Sequence, residues 1–343
     1  MAPAHAALAT DGDRRVRVKG LGMRILVLGA GAIGGYFGGR LVQAGGDVTF
    51  LVRERRAEQL RTTSPRVRSP HGDFTVPAQT VVRAADAGGV DLVIVTCKSY
   101  DLESAIESIA PAVGATTCVL PLLNGVAHID RLVAAFGAAR VAGGSCAIPA
   151  TLTADGEVVQ LGTFHSIVFG RLAATAADAQ AKLETLRDLY AKTPVPVEIS
   201  SDMMGALWEK FVGLASLAAM TCLMRASVGD IVSTDDGEAL VAETFAACSQ
   251  TAAAEGHPPR DAVVQRFRAM LGDRTSTLTA SMLRDLEAGG RTEAAHIVGD
   301  MLQRARAAGV DPGPLRAAWC HLQAAERIRE RARAAMAGAA SRT

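Results

Sequence analysis

The 343-residue chain has few aromatic side chains, almost no net charge and no long apolar run. Aromatic residues make up 4% of it, so aliphatic and small side chains must carry most of the packing. Its 36 Lys and Arg residues nearly balance 35 Asp and Glu residues, which gives no electrostatic basis for a nucleic-acid partner or an anionic membrane surface. Because a membrane helix needs about 18 uninterrupted apolar residues, the sequence also predicts no membrane partner.

The cysteines and histidines lack the spacing of metal sites. The six cysteines are far apart, with no CxxC among them: Cys97, Cys118, Cys146, Cys222, Cys248 and Cys320. The histidines show no HxxxH or HExxH spacing, so no metal site is predicted. Dispersed cysteines in a chain of this length predict reduced thiols, and we therefore expect a cytoplasmic protein.

The length and an apolar fraction of 49% predict two domains preceded by a short extension. Residues 1–22 show no periodicity, and their basic stretch follows the small residues, whereas a secretory signal carries its charge first. We expect a disordered extension over 1–22, a mixed α/β domain over 23–200, a helical domain over 201–330 and a frayed tail over 331–343.

Short apolar strands alternate with helical stretches after Met23. The predicted strands are Arg24–Leu28, Asp47–Val52, Asp91–Thr96 and Val119–Leu123, and the predicted helices between them are Ala32–Gln43 and Ser104–Val113. Strands separated by helices indicate βαβ units and therefore a parallel sheet. Strand patterns nearly vanish after about Ser201, which predicts an all-helical second domain.

A glycine-rich loop lies between the first predicted strand and the first helix. It reads Gly29-Ala30-Gly31-Ala32-Ile33-Gly34, which matches the pattern GxGxxG of dinucleotide-binding proteins. In this pattern the first glycine permits a tight turn, the second lets the backbone approach a pyrophosphate, and the third lets helix and strand pack closely. Free N–H groups at the helix start then hold the phosphates. We expect all six residues to bind a cofactor; a glycine-rich turn without a ligand is the alternative.

The residues after the second strand bear on which nicotinamide cofactor binds. An acidic residue there would bind the ribose 2′-hydroxyl of NAD, whereas a cation would bind the 2′-phosphate of NADP. The segment about twenty residues past the loop reads Leu51-Val52-Arg53-Glu54, and we assign the decisive position to Arg53. The sequence therefore predicts NADP(H); Glu54 would instead bind the ribose of NAD if the register differs by one residue.

Polar residues follow two further predicted strands. Lys98 comes just after Asp91–Thr96, and Asn124 just after Val119–Leu123. Because ligands of open parallel sheets bind beyond the carboxyl ends of the strands, both residues are candidates for contact with a nicotinamide or a substrate. An ordinary loop lysine and an Asn-Gly turn are the alternative.

The helical domain carries a lysine on an apolar helix face. The neighbours of Lys210 three and four residues away are Ala206, Leu207, Gly213 and Leu214. The flanking Trp208 and Phe211 predict a buried helix, and burial would lower the pKa of Lys210 toward the range useful for proton transfer. Alternatively, the lysine side chain extends along this face to reach solvent.

Acidic partners for such a lysine are found further along the chain. Ser281 and Asp285 are four residues apart, so both can face a cleft from one helix. We expect Gly289-Gly290 to end that helix, Thr292 to cap the next and Glu293 to lie in its first turn. A carboxylate there is stabilised by the helix dipole, so a structural role for Glu293 stays open beside a catalytic one.

Taken together, these motifs resemble the ketopantoate reductase family. They are the GAGAIG loop, TCKS around Lys98, LLNG around Asn124, LWEK ending at Lys210, and SMLRD followed by TE ending at Glu293. The resemblance covers Met23 to about Glu330. It implies a Rossmann-type domain joined to an all-helical domain, with the active site in the cleft, and NADPH-dependent reduction of a 2-oxo acid.

By position, the resemblance implies catalytic roles for Lys210 and Glu293. It assigns Ser281 and Asp285 to the substrate, and Lys98 and Asn124 to the nicotinamide end of the cofactor and the substrate. The family commonly has asparagines where this chain has Leu214 and Ala218, on the same helix face as Lys210. We therefore expect Leu214 to contribute an apolar wall to the substrate site.

These observations favour an NADPH-dependent reductase that converts a small 2-oxo acid, ketopantoate by resemblance, to the 2-hydroxy acid. One alternative is a reductase of the same architecture that acts on a bulkier, more apolar oxo acid, ketone or imine, which Leu214 and Ala218 favour. The other is a non-catalytic NADPH-binding protein. A monomer and a homodimer are both open.

Overall fold

The computed structural model of the protein describes residues 22–340. The predicted extension over 1–22 therefore lies outside the described residues apart from Gly22. The strands are β1 Arg24–Leu28, β2 Asp47–Leu51, β3 Arg66–Arg68, β4 Phe74–Thr75, β5 Gln79–Val81, β6 Leu92–Val95, β7 Cys118–Pro121, β8 Ala142–Ala147, β9 Ala150–Leu152, β10 Val158–Gln160, β11 Ser166–Arg171 and β12 Val197–Ile199.

The helices are interspersed with the strands up to residue 199, and after it the chain is helical. The α-helices are α1 Ala32–Gln43, α2 Glu54–Thr63, α3 Leu102–Ile109, α4 Ala127–Phe136, α5 Ala179–Tyr190, α6 Met203–Met224, α7 Val228–Val232, α8 Gly237–Ala254, α9 Asp261–Leu271, α10 Ser281–Glu287, α11 Asp300–Ala307 and α12 Leu315–Ala340. Short 3-10 helices span Ala84–Ala87, Ser99–Asp101, Ala110–Ala112 and Ala138–Arg140, and a π-helical turn spans Ala295–Gly299.

The first part of the chain is built on a parallel sheet with the order β5-β2-β1-β6-β7. The chain leaves β1 for β2 on one side and later returns to β6 on the other. In open α/β sheets, ligands bind at such a switch point, beyond the carboxyl ends of the strands. Leu28, the last residue of β1, pairs with Leu51 of β2 and with Val95 of β6, so the three strands end together.

Helices cover both faces of this sheet, which explains its uninterrupted apolar strands. Ile25 and Val27 of β1 are buried in the same cluster as Phe37 of α1. Leu26 points to the opposite face and is buried in the cluster that contains Leu102 of α3. Two smaller sheets, with the orders β4-β3-β10-β9 and β12-β11-β8, complete this part of the protein.

The second part of the chain is helical and is organised around α6. The side chain of Asp202 caps this helix by accepting a hydrogen bond from the Gly205 N–H at 3.0 Å. Phe211 and Ala215 are fully buried among α8, α10 and α12. Within residues 22–340, α6 is the one helix long and apolar enough to span a membrane, but 72% of its apolar window is buried inside the protein, as expected of a core helix.

The predicted fold class, a Rossmann-type α/β domain followed by an all-helical domain, is confirmed. The chain changes character between the end of β12 at Ile199 and the start of α6 at Met203, next to the boundary expected at residue 200. The C-terminal prediction differs from the structure: α12 continues without a break to Ala340, across most of the tail expected to fray from 331. Alanine and arginine, which dominate residues 331–340, are strong helix formers, and this explains the continuation.

Candidate active site

The three glycines of the loop Gly29–Gly34 have distinct environments. Gly29 has a φ of +91°, in the region that favours glycine, and its N–H donates to the Leu51 carbonyl at 2.9 Å. A Cβ atom on Gly34 would overlap the Gly29 carbonyl oxygen, so the third glycine permits the close packing of α1. A Cβ on Gly31 would meet no atom of the described residues within 4 Å.

Open space at Gly31 adjoins the start of α1, where no side chain of residues 22–340 caps the helix. Unpaired N–H groups at a helix start favour an anion such as a pyrophosphate. The residues present therefore fit the phosphates of a dinucleotide, with Gly31 facing them and Gly34 turned toward the sheet. Ala30, Ala32 and Ile33 complete this turn into the helix.

Arg56 holds the glycine loop from the neighbouring helix α2. Its Nε and Nη2 donate to the Ala30 carbonyl at 3.1 and 2.9 Å, and Nη2 also donates to the Gly156 carbonyl at 3.1 Å. Sequence reasoning missed this role, although the basic run that ends at Arg56 was the available signal. Arg53, in contrast, lies at the start of α2 with a side chain 85% exposed, 3.7 Å from the Asp101 carboxylate. Although it pairs with Asp101, its guanidinium is open to solvent beyond β2, where a ligand could reach it.

Lys98 joins the two parts of the chain. Its Nζ lies 3.1 Å from Asp285 Oδ2 and 3.5 Å from Glu293 Oε2, and Glu293 Oε1 accepts a hydrogen bond from the Ser99 N–H at 2.9 Å. Burial alone would lower the pKa of Lys98, but the carboxylates of Glu293 and Asp285 outweigh it, so the pKa is raised. Lys98 therefore keeps its charge at the mouth of the cleft.

Glu293 is placed differently from what the sequence predicted. Thr292 was expected to cap the next helix, with Glu293 in its first turn. Instead, the Glu293 main-chain carbonyl accepts the first bonds, from the N–H groups of His296 and Ile297, and Glu293 itself precedes the helix. Its carboxylate binds Lys98 and Ser99 rather than its own helix. The carboxylate is therefore held by contacts with the α/β domain, and it lies at the N-terminus of its own helix, where the helix dipole also favours a negative charge.

Lys210 lies on α6, between the buried Trp208 and Phe211, as the sequence predicted. Its Nζ donates to the Cys146 main-chain carbonyl at 2.6 Å. Within residues 22–340 it has no carboxylate within 4.0 Å, so the structure does not pair it directly with Glu293. Burial lowers the pKa of Lys210, an effect that the negative charge of Glu293 partly opposes.

The remaining predicted residues surround this region. Ser281 is exposed at the start of α10, one turn before Asp285. Asn124 is partly exposed beyond β7, whereas Leu214 is partly buried against the helical core one turn after Lys210. Ala218, the second position that departs from the family pattern, is buried with 1% of its surface exposed.

Two histidines, which sequence reasoning missed, flank the Asn124–Gly125 turn: His128 is buried and His296 is partly buried. The rings of His128 and His296 are 5.7 Å apart, and both lie beside the Asn124 main chain. Gly125 has a φ of +79°, and a Cβ there would come within 2.9 Å of the His296 ring. Only the contact between the two parts of the chain reveals this arrangement, because the histidines are far apart in sequence.

His128 is predicted to make the protein sensitive to acid. Burial, with the nearby charges of His296 and Lys210, lowers its pKa to about 3. The unfolded chain would bind a proton near the ordinary histidine value of about 6.5, so stability is full above that pH and is lost as the pH falls. At about pH 5 the expected loss from this one group is about 2 kcal/mol.

Urea unfolding between about pH 8 and pH 5 measures this loss. The variant His128→Phe removes the titrating group, and its stability should fall less steeply with acid than that of the unmodified protein. His165, His296 and His321, whose pKa values are also lowered by burial, account for the slope that remains. An equal slope in the two proteins would contradict the assignment.

The geometry so far defines a class of protein. A glycine loop shaped for a dinucleotide lies at the switch point of a parallel sheet, and a lysine beyond β6 meets two carboxylates from a helical domain. Among the described residues no group of three His, Cys, Asp or Glu side chains could hold a metal ion. These features are those of a two-domain dinucleotide-dependent enzyme whose reactive groups lie in the cleft between the domains.

Comparison with known proteins identifies the family. The family model described as "Ketopantoate reductase PanE/ApbA" matches residues 25–174, and "Ketopantoate reductase PanE/ApbA C terminal" matches residues 202–326. The chain therefore belongs to the ketopantoate reductase family, whose members are nicotinamide-dependent oxidoreductases, and it is an oxidoreductase.

Individual relatives cover almost the whole protein. The "Uncharacterized oxidoreductase YkpB" of Bacillus subtilis (strain 168) is 31% identical over 301 residues, 88% of this chain and 98% of that protein. A 2-dehydropantoate 2-reductase of Halobacterium salinarum is 29% identical over 83% of this chain and 92% of that protein. The crystal structure of 2-dehydropantoate 2-reductase from Geobacter metallireducens GS-15 is 28% identical and superposes with a TM-score of 0.79, covering 88% of this chain and all of that chain (100%).

Proposed function

We propose that this protein reduces a 2-oxo acid to the corresponding 2-hydroxy acid with NADPH, ketopantoate being the first substrate to test. The observation that supports this most strongly is the contact of Lys98 with Asp285 and Glu293, at 3.1 and 3.5 Å. It brings acid–base groups of the helical domain to the carboxyl ends of β1 and β6, where the glycine loop begins. A bound nicotinamide cofactor would supply the hydride.

In this proposal the oxo acid is held and protonated by residues of the helical domain. The Ser281 hydroxyl donates to the substrate carboxylate. Lys210 donates a hydrogen bond to the carbonyl oxygen and then delivers the proton as negative charge develops there. Its lowered pKa makes this transfer easier, because a general acid works best with a pKa near the operating pH.

Glu293 and Asn124 complete the proposed site as positioning groups. Glu293 accepts from the Ser99 N–H at 2.9 Å and lies close enough to influence the pKa of Lys210. It can orient Lys98 and accept a hydrogen bond from the new hydroxyl. Asn124 lies in the turn held between the two histidines and is proposed to contact the nicotinamide end of the cofactor. Asp285 fixes Lys98 from the other side.

A panel of oxo acids at a fixed NADPH concentration tests the function. We expect NADPH absorbance to fall with at least one 2-oxo acid. Kinetic parameters for ketopantoate are to be compared with those for branched and aryl 2-oxo acids, simple ketones and cyclic imines. No oxidation of NADPH or NADH with any member would refute the reductase and favour a binding protein.

A more apolar substrate is the second candidate. Leu214 lies one turn after Lys210 on α6 and Ala218 lies a turn further, so neither position offers a polar atom to a hydroxylated substrate. A site without such groups discriminates weakly between polar and apolar analogues. A higher kcat/KM for aryl or branched oxo acids than for ketopantoate would support this candidate.

The exposed Arg53 predicts a preference for NADPH over NADH. Its guanidinium, at the start of α2, can form a bidentate contact with a 2′-phosphate. We expect Arg53→Ala to raise the Kd for NADPH by about tenfold or more and to leave the Kd for NADH nearly unchanged. Fluorescence titration measures both, with Arg55→Ala as a neighbouring control. Tighter binding of NADH by the unmodified protein would contradict the role of Arg53.

We also propose a location, a partner and an oligomeric state for the enzyme. We propose a cytoplasmic location, because the described cysteines are all free thiols and most of them are buried. The proposed partner is the small-molecule oxo acid, with no nucleic-acid or membrane partner. A homodimer is proposed as the assembly to test by light scattering.

A further inference from the structure

A cavity adjoins the proposed oxo-acid site and is lined in part by Glu293. It has a volume of about 600 Å³, within the range of small-molecule sites. Both parts of the chain line it: Tyr100 belongs to the loop after β6, Arg291 precedes the π-helical turn, and Trp319 and Arg327 come from α12. Glu293 and Ser99 line it but Lys210, Ser281 and Asn124 do not, so it adjoins the proposed oxo-acid site without including the groups proposed to hold the substrate.

The acidic groups of this cavity are already paired. Glu293 is bound by Lys98 and Ser99, and Asp300 accepts from Arg304 Nε at 3.0 Å. Glu326 accepts from Arg329 Nε at 2.8 Å. The negative charge of the cavity is therefore largely neutralised by cations outside its lining.

The two arginines of the cavity, in contrast, have no acidic partner within 4.0 Å among residues 22–340. Arg291 stacks over the Tyr100 ring, with its guanidinium carbon 4.4 Å from the ring centroid, and it stays exposed. Arg327 is likewise exposed on α12. Both guanidinium groups thus line the cavity outside any ion pair shorter than 4.0 Å, and Arg291 has only a longer-range interaction with Glu326. A guanidinium presents two parallel donors that suit a carboxylate or a phosphate.

The rest of the lining combines polar side chains, among them Thr292, Gln303 and Gln323, with an apolar surface around Trp319. The Trp319 ring packs so closely against Gly299 that a Cβ there would lie 3.0 Å from it. Ala294, Ala295 and the buried Leu322 extend the same surface. Aromatic and small aliphatic surfaces of this kind favour a planar apolar ligand.

We infer that this cavity binds an organic anion with a planar apolar body, its acidic group held by Arg291 and Arg327 and its body against Trp319. Glu293 lies between this cavity and the proposed oxo-acid site, so a ligand in the cavity contacts the segment around Glu293 that positions its carboxylate. Occupancy is therefore expected to change kcat without competing with the oxo acid. The binding itself does not depend on the proposed reductase activity.

Calorimetric titration with 2-naphthoate, a planar carboxylate, tests the inference on the full chain, with and without saturating NADPH. We expect one molecule to bind at millimolar concentration or below in both conditions. Arg291→Ala and Arg327→Ala should each raise the Kd by about tenfold, as expected for loss of a charge-assisted hydrogen bond. Arg331→Ala, one turn further along α12 and outside the cavity, should leave the Kd unchanged.

The neutral analogue 2-naphthamide should bind at least about tenfold more weakly if the arginines recognise the charge. Absence of binding up to millimolar concentration, or equal affinities in all three arginine variants, would overturn the inference. Loss of binding in Ser281→Ala with no effect of Arg291→Ala would also overturn it, because the ligand would then occupy the oxo-acid site. None of these titrations requires turnover, so they stay informative even if no oxo acid is reduced.

Discussion

Replacing Lys210 by alanine is expected to lower kcat by about 10²–10⁴-fold, the usual contribution of a general acid, while the Kd for NADPH changes little. Lys210 lies on a core helix, its Nζ donates to the Cys146 carbonyl, and burial lowers its pKa. The glycine loop that would hold the phosphates is formed by a different part of the chain. Steady-state kinetics with the best oxo acid and fluorescence titration of NADPH separate the two quantities.

The pH dependence of the same reaction provides a second measure of Lys210. The protonated amine is the active form, so kcat should fall as the pH rises through the pKa of Lys210, at a lower pH than for an ordinary lysine. The matched control is Lys192→Ala, which removes an exposed lysine of the α/β domain and should leave both the rate and the profile unchanged. Unaltered turnover in Lys210→Ala would remove this residue from the mechanism.

The variant Gly34→Ala is expected to lose stability, whereas Gly31→Ala is expected to lose affinity for the cofactor. A methyl group at Gly34 would collide with the Gly29 carbonyl and would lie 2.5 Å from Thr96 Oγ1, so we expect a loss of at least about 3 kcal/mol in the free energy of unfolding. A methyl at Gly31 meets nothing within 4 Å among the described residues, so stability should change by less than about 1 kcal/mol.

Cofactor affinity should nevertheless fall in Gly31→Ala, because the added methyl fills the space that a pyrophosphate would occupy. We expect the Kd for NADPH to rise by at least about tenfold, since backbone N–H groups could no longer approach the phosphates. Urea unfolding and fluorescence titration on the same samples test the pair. A Gly31→Ala protein that binds NADPH normally would contradict the predicted path of the cofactor.

Local signals in the sequence were sufficient for the cofactor-binding half of the fold. The bounds of β1 and α1 match their predictions, because an apolar run, a glycine turn and a helix pattern follow one another within a short segment. The change to helices near Ile199 was likewise visible, since strand patterns disappear there. The bounds of β1 and α1 and the change to helices depend on residues close together in the chain, so the sequence pattern alone predicts them.

The contacts that assemble the site depend instead on residues far apart in the chain. Lys98 and Glu293 are separated by 195 positions, and the pattern around each fits several partners. The sequence paired Glu293 with Lys210, but the structure brings it into contact with Lys98 and Ser99. The packing of His128 and His296 against the Asn124–Gly125 turn could not be predicted either, because the two histidines are far apart in the chain and isolated histidines show no periodic pattern.

The hydrogen bond from the Ser99 N–H to the Glu293 carboxylate gives the Glu293 side chain a structural role in addition to its proposed role in the reaction. Because this carboxylate lies at the first turn of the 3-10 helix Ser99–Asp101, it fastens the helical half of the molecule to the cofactor-binding half. Replacing Glu293 by alanine would weaken the contact between the domains and also alter the chemistry. Replacing it by glutamine would keep an oxygen that accepts from the Ser99 N–H and would remove only the charge. Glu293, which is proposed to tune the reaction, therefore also connects the two domains. The rigidity of the reaction centre then depends on the rigidity of this domain interface.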